Sequence, residues 1–318
     1  MTPRMALPTL QCPFGNEISP HADMVDRHVA NWACDFGLLT DPGDVDRYRR
    51  ARVGRLAART SPGSRIEALN VLADWQMWLF IFDDRYCDES ETGIHPERLS
   101  QVIAPFLPVL DGTGAREQKE NPFTAALGDL MERLALMASG PQVFRFLSAV
   151  RGYFLAQFWE AAHRAADRPA GLADYQAMRR HSGAVPTCLA LIDLAAGFEL
   201  ADGEFCRRDV QAVTDIAVNV TCWANDILSY PKESARSLKV HSLPAILARE
   251  GGMSPAEAVA AAATMHDAEV ARYVRDEEQV RRHATPELSR YLDGLRAWMS
   301  GNFHWSLETG RYGLAAAG

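Results

Sequence analysis

The chain has 318 residues, 47% hydrophobic and 23% charged, and can therefore bury a large core. Its formal net charge is −8 and it shows no stripe of lysine and arginine, which argues against a nucleic-acid partner. Its six cysteines form no CxxC pair, so neither a zinc site nor a disulfide framework is expected, and a cytoplasmic protein with reduced thiols is favoured. The longest strongly apolar stretch, Trp75 to Phe82, is too short to span a membrane.

The predicted elements are long helices, and no strand pattern appears between them. Ile66 to Phe82 contains no proline or glycine and is apolar nearly all round, which is typical of a buried central helix. Ser254-Pro255, followed by Glu257, is a helix start signal. Further helices are predicted over Gln142 to Arg164, Asp209 to Tyr230 and Pro286 to Leu307. The pattern predicts an all-α protein with a single domain over residues 1–318.

Acidic residues gather at the end of the most apolar predicted helix, in the sequence WLFIFDDRYCDE. Asp84 and Asp88 are four residues apart, so in an α-helix they share a face, with Asp83 beside them. Burial, mutual repulsion and the negative helix end all disfavour these charges unless a cation is bound. An oxygen-only cluster of this kind suits Mg²⁺. An exposed acidic helix end would show the same pattern.

A second polar group, NDILSYPKE, ends the helix predicted from Asp209. Asn225, Ser229 and Glu233 follow one another at i, i+4 and i+8, so they fall within about 80° on one face. An amide oxygen, a hydroxyl and a carboxylate together suit a magnesium ion. Pro231 is expected to kink the helix before Glu233, which makes Glu233 the least certain ligand by geometry. As a bare pattern, this spacing usually occurs by accident.

Together, DDRYCD and NDILSYPKE resemble the pair of metal motifs of bacterial class I terpene synthases. Arg179 lies 46 residues before Asn225, where such enzymes carry an arginine that senses the diphosphate; its neighbour Arg180 is an alternative. Arg311-Tyr312 resembles the terminal pair that closes over the diphosphate, and a basic residue is common in these enzymes at the position of Lys232. The opening CPFGNEISPH is also similar to the start of bacterial members.

The resemblance implies an antiparallel helical bundle around an apolar active-site cavity, the class I terpenoid synthase fold. It implies a prenyl diphosphate substrate and three Mg²⁺ ions. The candidate metal ligands are Asp83, Asp84, Asp88, Asn225, Ser229 and Glu233. The candidate diphosphate-binding residues are Arg179, Lys232, Arg311 and Tyr312. Homodimers are usual in the family, so a second copy of the chain is a candidate partner.

Individual roles within the two motifs differ. Asp83 is expected to be the principal ligand of the first motif. Asp84 either binds metal or pairs with an arginine as the site closes, and whether Asp88 and Glu89 touch metal directly is left open. Asp226, beside Asn225, points about 100° away from it and is expected to form a salt bridge.

The helix that carries Arg179 is expected to break at Ser182-Gly183, with Pro186 beyond. In the family, such a break points a backbone carbonyl toward the carbon that ionises. The resemblance places Gly183 at that position and makes Ser182 its link to Arg179. Several relatives have an aspartate where Ser182 stands, so the link here would be neutral and looser. The alternative is an ordinary loop between two helices.

A cavity for carbocations needs walls that attract a cation without reacting with it, and aromatic faces meet that need. Phe80 is three residues before Asp83 on the same helix face and is the first candidate. Trp78, Trp298 and Trp305 are further candidates. For each of them, a place in the ordinary core is the alternative.

The predicted function is a magnesium-dependent terpene cyclase that ionises a linear prenyl diphosphate and releases diphosphate. Farnesyl diphosphate is the expected substrate, because sesquiterpene synthases have this size and motif pattern. Geranylgeranyl diphosphate, and hence a diterpene synthase, is the alternative. A chain-elongating prenyltransferase normally has two aspartate-rich motifs, and the second motif here is Asn-Ser-Glu. A protein that binds a prenyl diphosphate without turnover is the remaining alternative.

Overall fold

The computed structural model describes residues 7–87, 90–113, 121–166, 170–234 and 241–312. In these ranges the regular structure is helical and no strand occurs, which confirms the all-α prediction. The α-helices of the first half are α1 Ala22–Asp35, α2 Pro42–Ala51, α3 Val53–Thr60, α4 Ile66–Phe82, α5 Pro96–Ile103, α6 Phe106–Leu110, α7 Pro122–Met137 and α8 Gly140–Ala165. Those of the second half are α9 Leu172–Ser182, α10 Val185–Leu189, α11 Ile192–Ala195, α12 Asp202–Phe205, α13 Arg208–Ser234, α14 Leu243–Gly251, α15 Pro255–Arg281 and α16 Pro286–Glu308. A π-helical turn, Asp83–Cys87, continues α4, and a 3₁₀ turn covers Glu91–Ile94.

Helix α4 lies at the centre of the core, as its apolar sequence predicts. Its side chains are buried around nearly the whole helix, and it packs against α1, α3 and α7. Trp75, Trp78 and Phe82 are among the largest fully buried side chains, and their rings stack along the helix. This packing fixes the axis of α4 and therefore the place of the acidic residues that follow it.

Helix α13 is longer than predicted, because it continues through Pro231 to Ser234. Proline lacks one backbone donor and strains the preceding turn, yet the helical path is kept as far as Glu233. Asn225, Ser229 and Glu233 therefore follow one another along a single helix. α13 packs between α15 and α16, and the Ser254–Glu257 capping box starts α15 as predicted.

The helices enclose a cavity between α4, α8, α9, α10, α13 and α16. The C-terminal ends of α4 and α13 both reach this cavity, so the two polar motifs lie at the same end of it. Among the described residues, none of the helices combines the length and the apolar character needed to cross a membrane.

Candidate active site

The cavity has a volume of about 600 Å³, a size typical of small-molecule sites. One part of its wall is apolar, and the described residues there include Leu56, Leu79, Phe80, Tyr153, Val185 and Cys188. The other part, here named the polar end, is formed by Asp83, Asp84, Arg179, Asn225, Lys232, Glu233, Arg311 and Tyr312. The structure therefore brings together most of the residues selected from the sequence. An apolar chain with an anionic head would match this division of the wall.

The first motif begins where α4 widens into the π-helical turn Asp83–Cys87. A π-helix bonds i to i+5, so Asp83 to Cys87 depart from the α-helical spacing assumed for this motif. Asp83 and Asp84 both line the cavity. Asp88 and Glu89 lie outside the described residues, so their predicted roles remain predictions.

Protein donors surround the carboxylate of Asp84. Arg311 binds both of its oxygens at 2.8 Å, Arg47 donates to Oδ2 at 2.8 Å, and the Tyr48 hydroxyl donates to Oδ2 at 2.5 Å. Although burial alone would raise the pKa of Asp84, the charges of Arg311 and Arg47 lower it to about 2. Of the two roles considered for Asp84, the geometry matches the pairing with an arginine, because the metal role would require it to leave these donors.

The second motif places Asn225 and Glu233 on the cavity wall, whereas Ser229, one helical turn from each, does not line the cavity. The Asn225 amide donates to the Tyr312 hydroxyl at 2.6 Å, and Arg179 donates to its oxygen at 3.3 Å. Ser229 is 1% exposed and its hydroxyl has no hydrogen-bond partner within the described structure. A buried hydroxyl without a partner is costly, and a ligand oxygen or a metal ion would remove that cost.

These residues form a donor set that suits a hard cation. Asp83, Asn225, Ser229 and Glu233 offer two carboxylates, an amide oxygen and a hydroxyl, which is the chemistry that Mg²⁺ prefers. A site built from three or more His, Cys, Asp or Glu side chains is absent from the ranges that the structure describes. The oxygen set at the polar end therefore fits magnesium, and the Ser229 hydroxyl beside it has no protein partner that a metal ion would have to displace.

Arg179 is held at the polar end by a salt bridge to Asp226, the type of contact predicted for Asp226. Two guanidinium nitrogens bind Asp226 Oδ1 at 3.0 and 2.7 Å, and the Tyr175 hydroxyl donates to the other carboxylate oxygen. Burial would lower the pKa of Arg179, but the Asp226 carboxylate raises it well above its usual value. Arg180 instead binds Asn219 and Asp215 and does not line the cavity. Of the two arginines, only Arg179 can meet a ligand there.

The break after α9 has the form expected from the sequence. α9 ends at Ser182, and Ala184 then adopts a left-handed conformation with φ of 57° before α10 begins. Ser182, Gly183 and Ala184 all line the cavity. A methyl group on Gly183 would lie 2.7 Å from Cys222 Sγ, so only glycine fits there without movement. Gly183 and Arg179 are joined directly by the hydrogen bond from Gly183 N to Arg179 O at 3.1 Å. The Ser182 hydroxyl, predicted to link them, makes no hydrogen bond to Arg179.

The aromatic predictions divide into two groups. Phe80 and Trp298 line the cavity, whereas Trp78 and Trp305 do not. Trp78 is two residues from Phe80, about 200° around the helix, and it packs in the core with its indole N–H on the Phe123 carbonyl at 3.1 Å. Trp305 stands behind the wall, because it stacks on Phe80 with ring centroids 5.5 Å apart.

Several residues of the site were not anticipated from the sequence. Arg47 and Tyr48 reach Asp84 from α2, a contact that no local pattern indicates. Glu160 and His241 also line the cavity; Glu160 is buried and His241 is partly buried. Burial would raise the pKa of Glu160, but Arg164 and Arg179 lower it, so it is ionised. Burial lowers the pKa of His241 to about 4, so it is neutral at physiological pH.

Comparison with known proteins agrees with this site. The family model "Terpene synthase family 2, C-terminal metal binding" matches residues 74–272, a range that contains both motifs. A (+)-T-muurolol synthase of Roseiflexus castenholzii is 40% identical over 303 residues, covering 94% of this chain and 92% of the relative. A 4-epi-cubebol synthase of Streptosporangium roseum is 32% identical over 308 residues, covering 97% and 92%.

Solved structures show the same architecture. The SVS_A2 protein from ancestral sequence reconstruction superposes with a TM-score of 0.88 at 28% identity, covering 95% of this chain and 90% of that one. The germacradien-4-ol synthase of Streptomyces citricolor superposes with a TM-score of 0.82 at 22% identity, covering 95% and 99%, and supports the fold alone. With both motifs inside the matched range and the helices arranged as in these enzymes, the chain belongs to terpene synthase family 2 and is a class I terpene synthase.

Proposed function

We propose that the protein is a magnesium-dependent sesquiterpene cyclase that ionises farnesyl diphosphate, cyclises the carbocation and releases diphosphate. The observation that carries this proposal is the meeting of two oxygen-donor motifs and two arginines at one end of an otherwise apolar cavity. The relatives from Roseiflexus castenholzii and Streptosporangium roseum are both named as cyclising (2E,6E)-farnesyl diphosphate, which supports the choice of substrate.

In this mechanism, the metal would be held by Asp83, Asn225, Ser229 and Glu233, and three Mg²⁺ ions are expected. Bound Mg²⁺ supplies positive charge that stabilises the departing diphosphate. The diphosphate oxygens are bound by Arg179, Lys232, Arg311 and Tyr312. The two arginines can donate paired hydrogen bonds to them. Burial raises the pKa of Tyr312 to about 12, so its hydroxyl keeps the proton that it donates.

Ionisation breaks the allylic carbon–oxygen bond, and both electrons of that bond leave with the diphosphate. The Gly183 region lies on the wall of the same cavity, where its backbone carbonyl can face the positive carbon. Phe80 offers an aromatic face that attracts a cation by about 0.5 to 2 kcal/mol and has no lone pair to react with it. The surrounding apolar wall keeps bulk water away from the cation.

The proposed function is tested by incubating the purified chain with geranyl, farnesyl or geranylgeranyl diphosphate, each with and without Mg²⁺. Gas chromatography–mass spectrometry of the organic extract identifies the products. A metal-dependent cyclic product from farnesyl diphosphate is the expected result. Cyclic products from geranylgeranyl diphosphate alone would reassign the substrate. Longer linear diphosphates from mixed substrates, or tight binding without turnover, would overturn the cyclase proposal.

Ser229→Ala is expected to leave the protein as stable as the wild type and to impair its use of magnesium. The Ser229 hydroxyl has no protein partner to lose, whereas its loss removes one metal ligand. The Mg²⁺ concentration for half-maximal diphosphate release should rise by roughly tenfold. Metal titration of the rate and thermal unfolding measure the two quantities. An unchanged metal requirement would remove Ser229 from the proposed ligands.

Gly183→Ala is expected to lower turnover by roughly tenfold or more, because the new methyl group would meet Cys222 Sγ at 2.7 Å and the helix break would shift. The double variant Gly183→Ala/Cys222→Ala removes that sulfur and should recover part of the loss. Initial rates of diphosphate release compare the two variants with Cys222→Ala alone. Equal losses in the single and double variants would show that the contact with Cys222 is not the cause.

A further inference from the structure

Gln76 is a polar residue on the apolar part of the cavity wall. It precedes Phe80 by four residues and Asp83 by seven on α4, so all three share one face of the helix. Seven residues of helix place Gln76 about 10 Å from Asp83, away from the polar end. Its side chain is 3% exposed and lines the cavity. It therefore faces the region where the hydrocarbon part of a substrate would lie.

Neither polar atom of the Gln76 amide has a hydrogen-bond partner among the described residues. Its Oε1 and Nε2 are both buried and unpartnered, and in the ranges that the structure describes no other side-chain amide has both its oxygen and its nitrogen in this state. Trp298 lines the same cavity, and its indole N–H is also unpartnered. Buried polar groups in native proteins are normally satisfied by protein or by ordered water. A ligand of the cavity is therefore needed to satisfy this amide.

A prenyl chain cannot be that ligand, because its hydrocarbon part has neither a donor nor an acceptor. A water molecule can, since it both donates to Oε1 and accepts from Nε2, and the cavity has room for it. In a cavity where a carbocation forms, such a water is within reach of an electrophile that it can attack. If water capture had no part in the reaction, a water held by this amide would only quench the carbocation early.

We propose that Gln76 holds the water molecule that ends the reaction, so that the product is a cyclic terpene alcohol; this rests on the proposed cyclase function. An oxygen lone pair of the water forms the new carbon–oxygen bond and fills the vacant orbital of the last carbocation. The resulting oxonium loses one proton to the diphosphate released in the first step. One water is consumed for each alcohol formed, and no oxidant or reductant takes part.

The test uses the purified full chain with Mg²⁺ and the prenyl diphosphate that it turns over, in water enriched in oxygen-18. The wild type is expected to give an alcohol that carries the heavy isotope. Gln76→Leu removes both hydrogen-bonding atoms, and we expect the alcohol share of the products to fall by roughly tenfold or more. Hydrocarbons should rise in its place, and diphosphate release should stay within about threefold of the wild type. Gln76→Met, which keeps the length of the side chain, gives the same readout if Gln76→Leu does not fold.

Asn70→Leu is the matched control, because Asn70 also lies on α4 and has an unpartnered amide oxygen, but it does not line the cavity. Its alcohol share should equal that of the wild type. Wild-type products that are hydrocarbons only, or an alcohol share unchanged by both Gln76 variants, would overturn the water-holding role and leave the cyclase proposal standing. No diphosphate release by the wild type would overturn both.

Discussion

Asn225→Ala is expected to lower turnover by roughly a thousandfold, since metal-based stabilisation of a leaving group is worth several kcal/mol. Asn225 occupies the centre of the polar end, where its oxygen faces Arg179 and its amide nitrogen donates to Tyr312. The substitution therefore removes a proposed metal ligand and one contact to the chain end together. The loss of these two hydrogen bonds costs about 1 kcal/mol each, so the fold should persist.

The measurement is the rate of diphosphate release across a range of Mg²⁺ concentrations, with circular dichroism to verify the fold. Asn225→Asp keeps an oxygen ligand and should retain more activity than Asn225→Ala. Asn70→Ala, an asparagine substitution outside the cavity, serves as the control and should be active. Full activity of Asn225→Ala would refute the assignment of the second motif as a metal site.

Asp84→Asn is expected to destabilise the protein by about 3 kcal/mol at pH 7, because the largely buried Arg311 would lose the carboxylate that neutralises it and the more exposed Arg47 would lose the same partner. The folded protein lowers the pKa of Asp84 from 3.8 to about 2. Its ionised form therefore stabilises the fold fully above pH 4, and this contribution is lost as the pH falls from about 4 to about 2. At about 1.4 kcal/mol per pKa unit, the pH-dependent part is about 2 kcal/mol.

Urea unfolding of both proteins at pH 7, pH 4 and pH 2.5 measures this difference. The gap between wild type and Asp84→Asn should be largest at pH 7 and shrink below pH 4. Asp46→Asn is the matched control, because Asp46 pairs with Arg50 on the exposed surface, where ion pairs contribute little. A gap that stays constant from pH 7 to pH 2.5 would show that the charge of Asp84 does not stabilise the fold.

The fold and the core of the site follow from local patterns in the sequence. An apolar run that ends in aspartates predicted α4. Polar residues at helical spacing predicted which face of α13 carries the second motif. Asn225, Ser229 and Glu233 stayed on that face because the helix continues through Pro231, which the local rule for proline did not allow for. Propensity alone does not determine such a case, since α13 also packs against α15 and α16.

Other features depended on contacts between distant segments. Asp84 is paired by Arg47 and Arg311, residues far from it in sequence, and nothing near Asp84 indicates either partner. Trp78 and Phe80 are both aromatic residues in the same apolar run. Only the orientation of α4 places Trp78 in the core and Phe80 on the cavity wall. Gln76 did carry a signal, since it is a polar residue in an apolar run, two helical turns before Asp83.

Trp305 contacts both Tyr312, the last described residue, and Phe80 on the cavity wall. Its indole N–H is fixed on the Ala51 and Arg52 carbonyls, its ring stacks on Phe80, and Tyr312 meets it edge-on with centroids 6.0 Å apart. Tyr312 and Phe80 therefore lie at the two ends of one contact chain through Trp305, and a displacement of Tyr312 is expected to affect the Phe80 ring on the cavity wall. We therefore expect the product profile to depend on where Tyr312 lies.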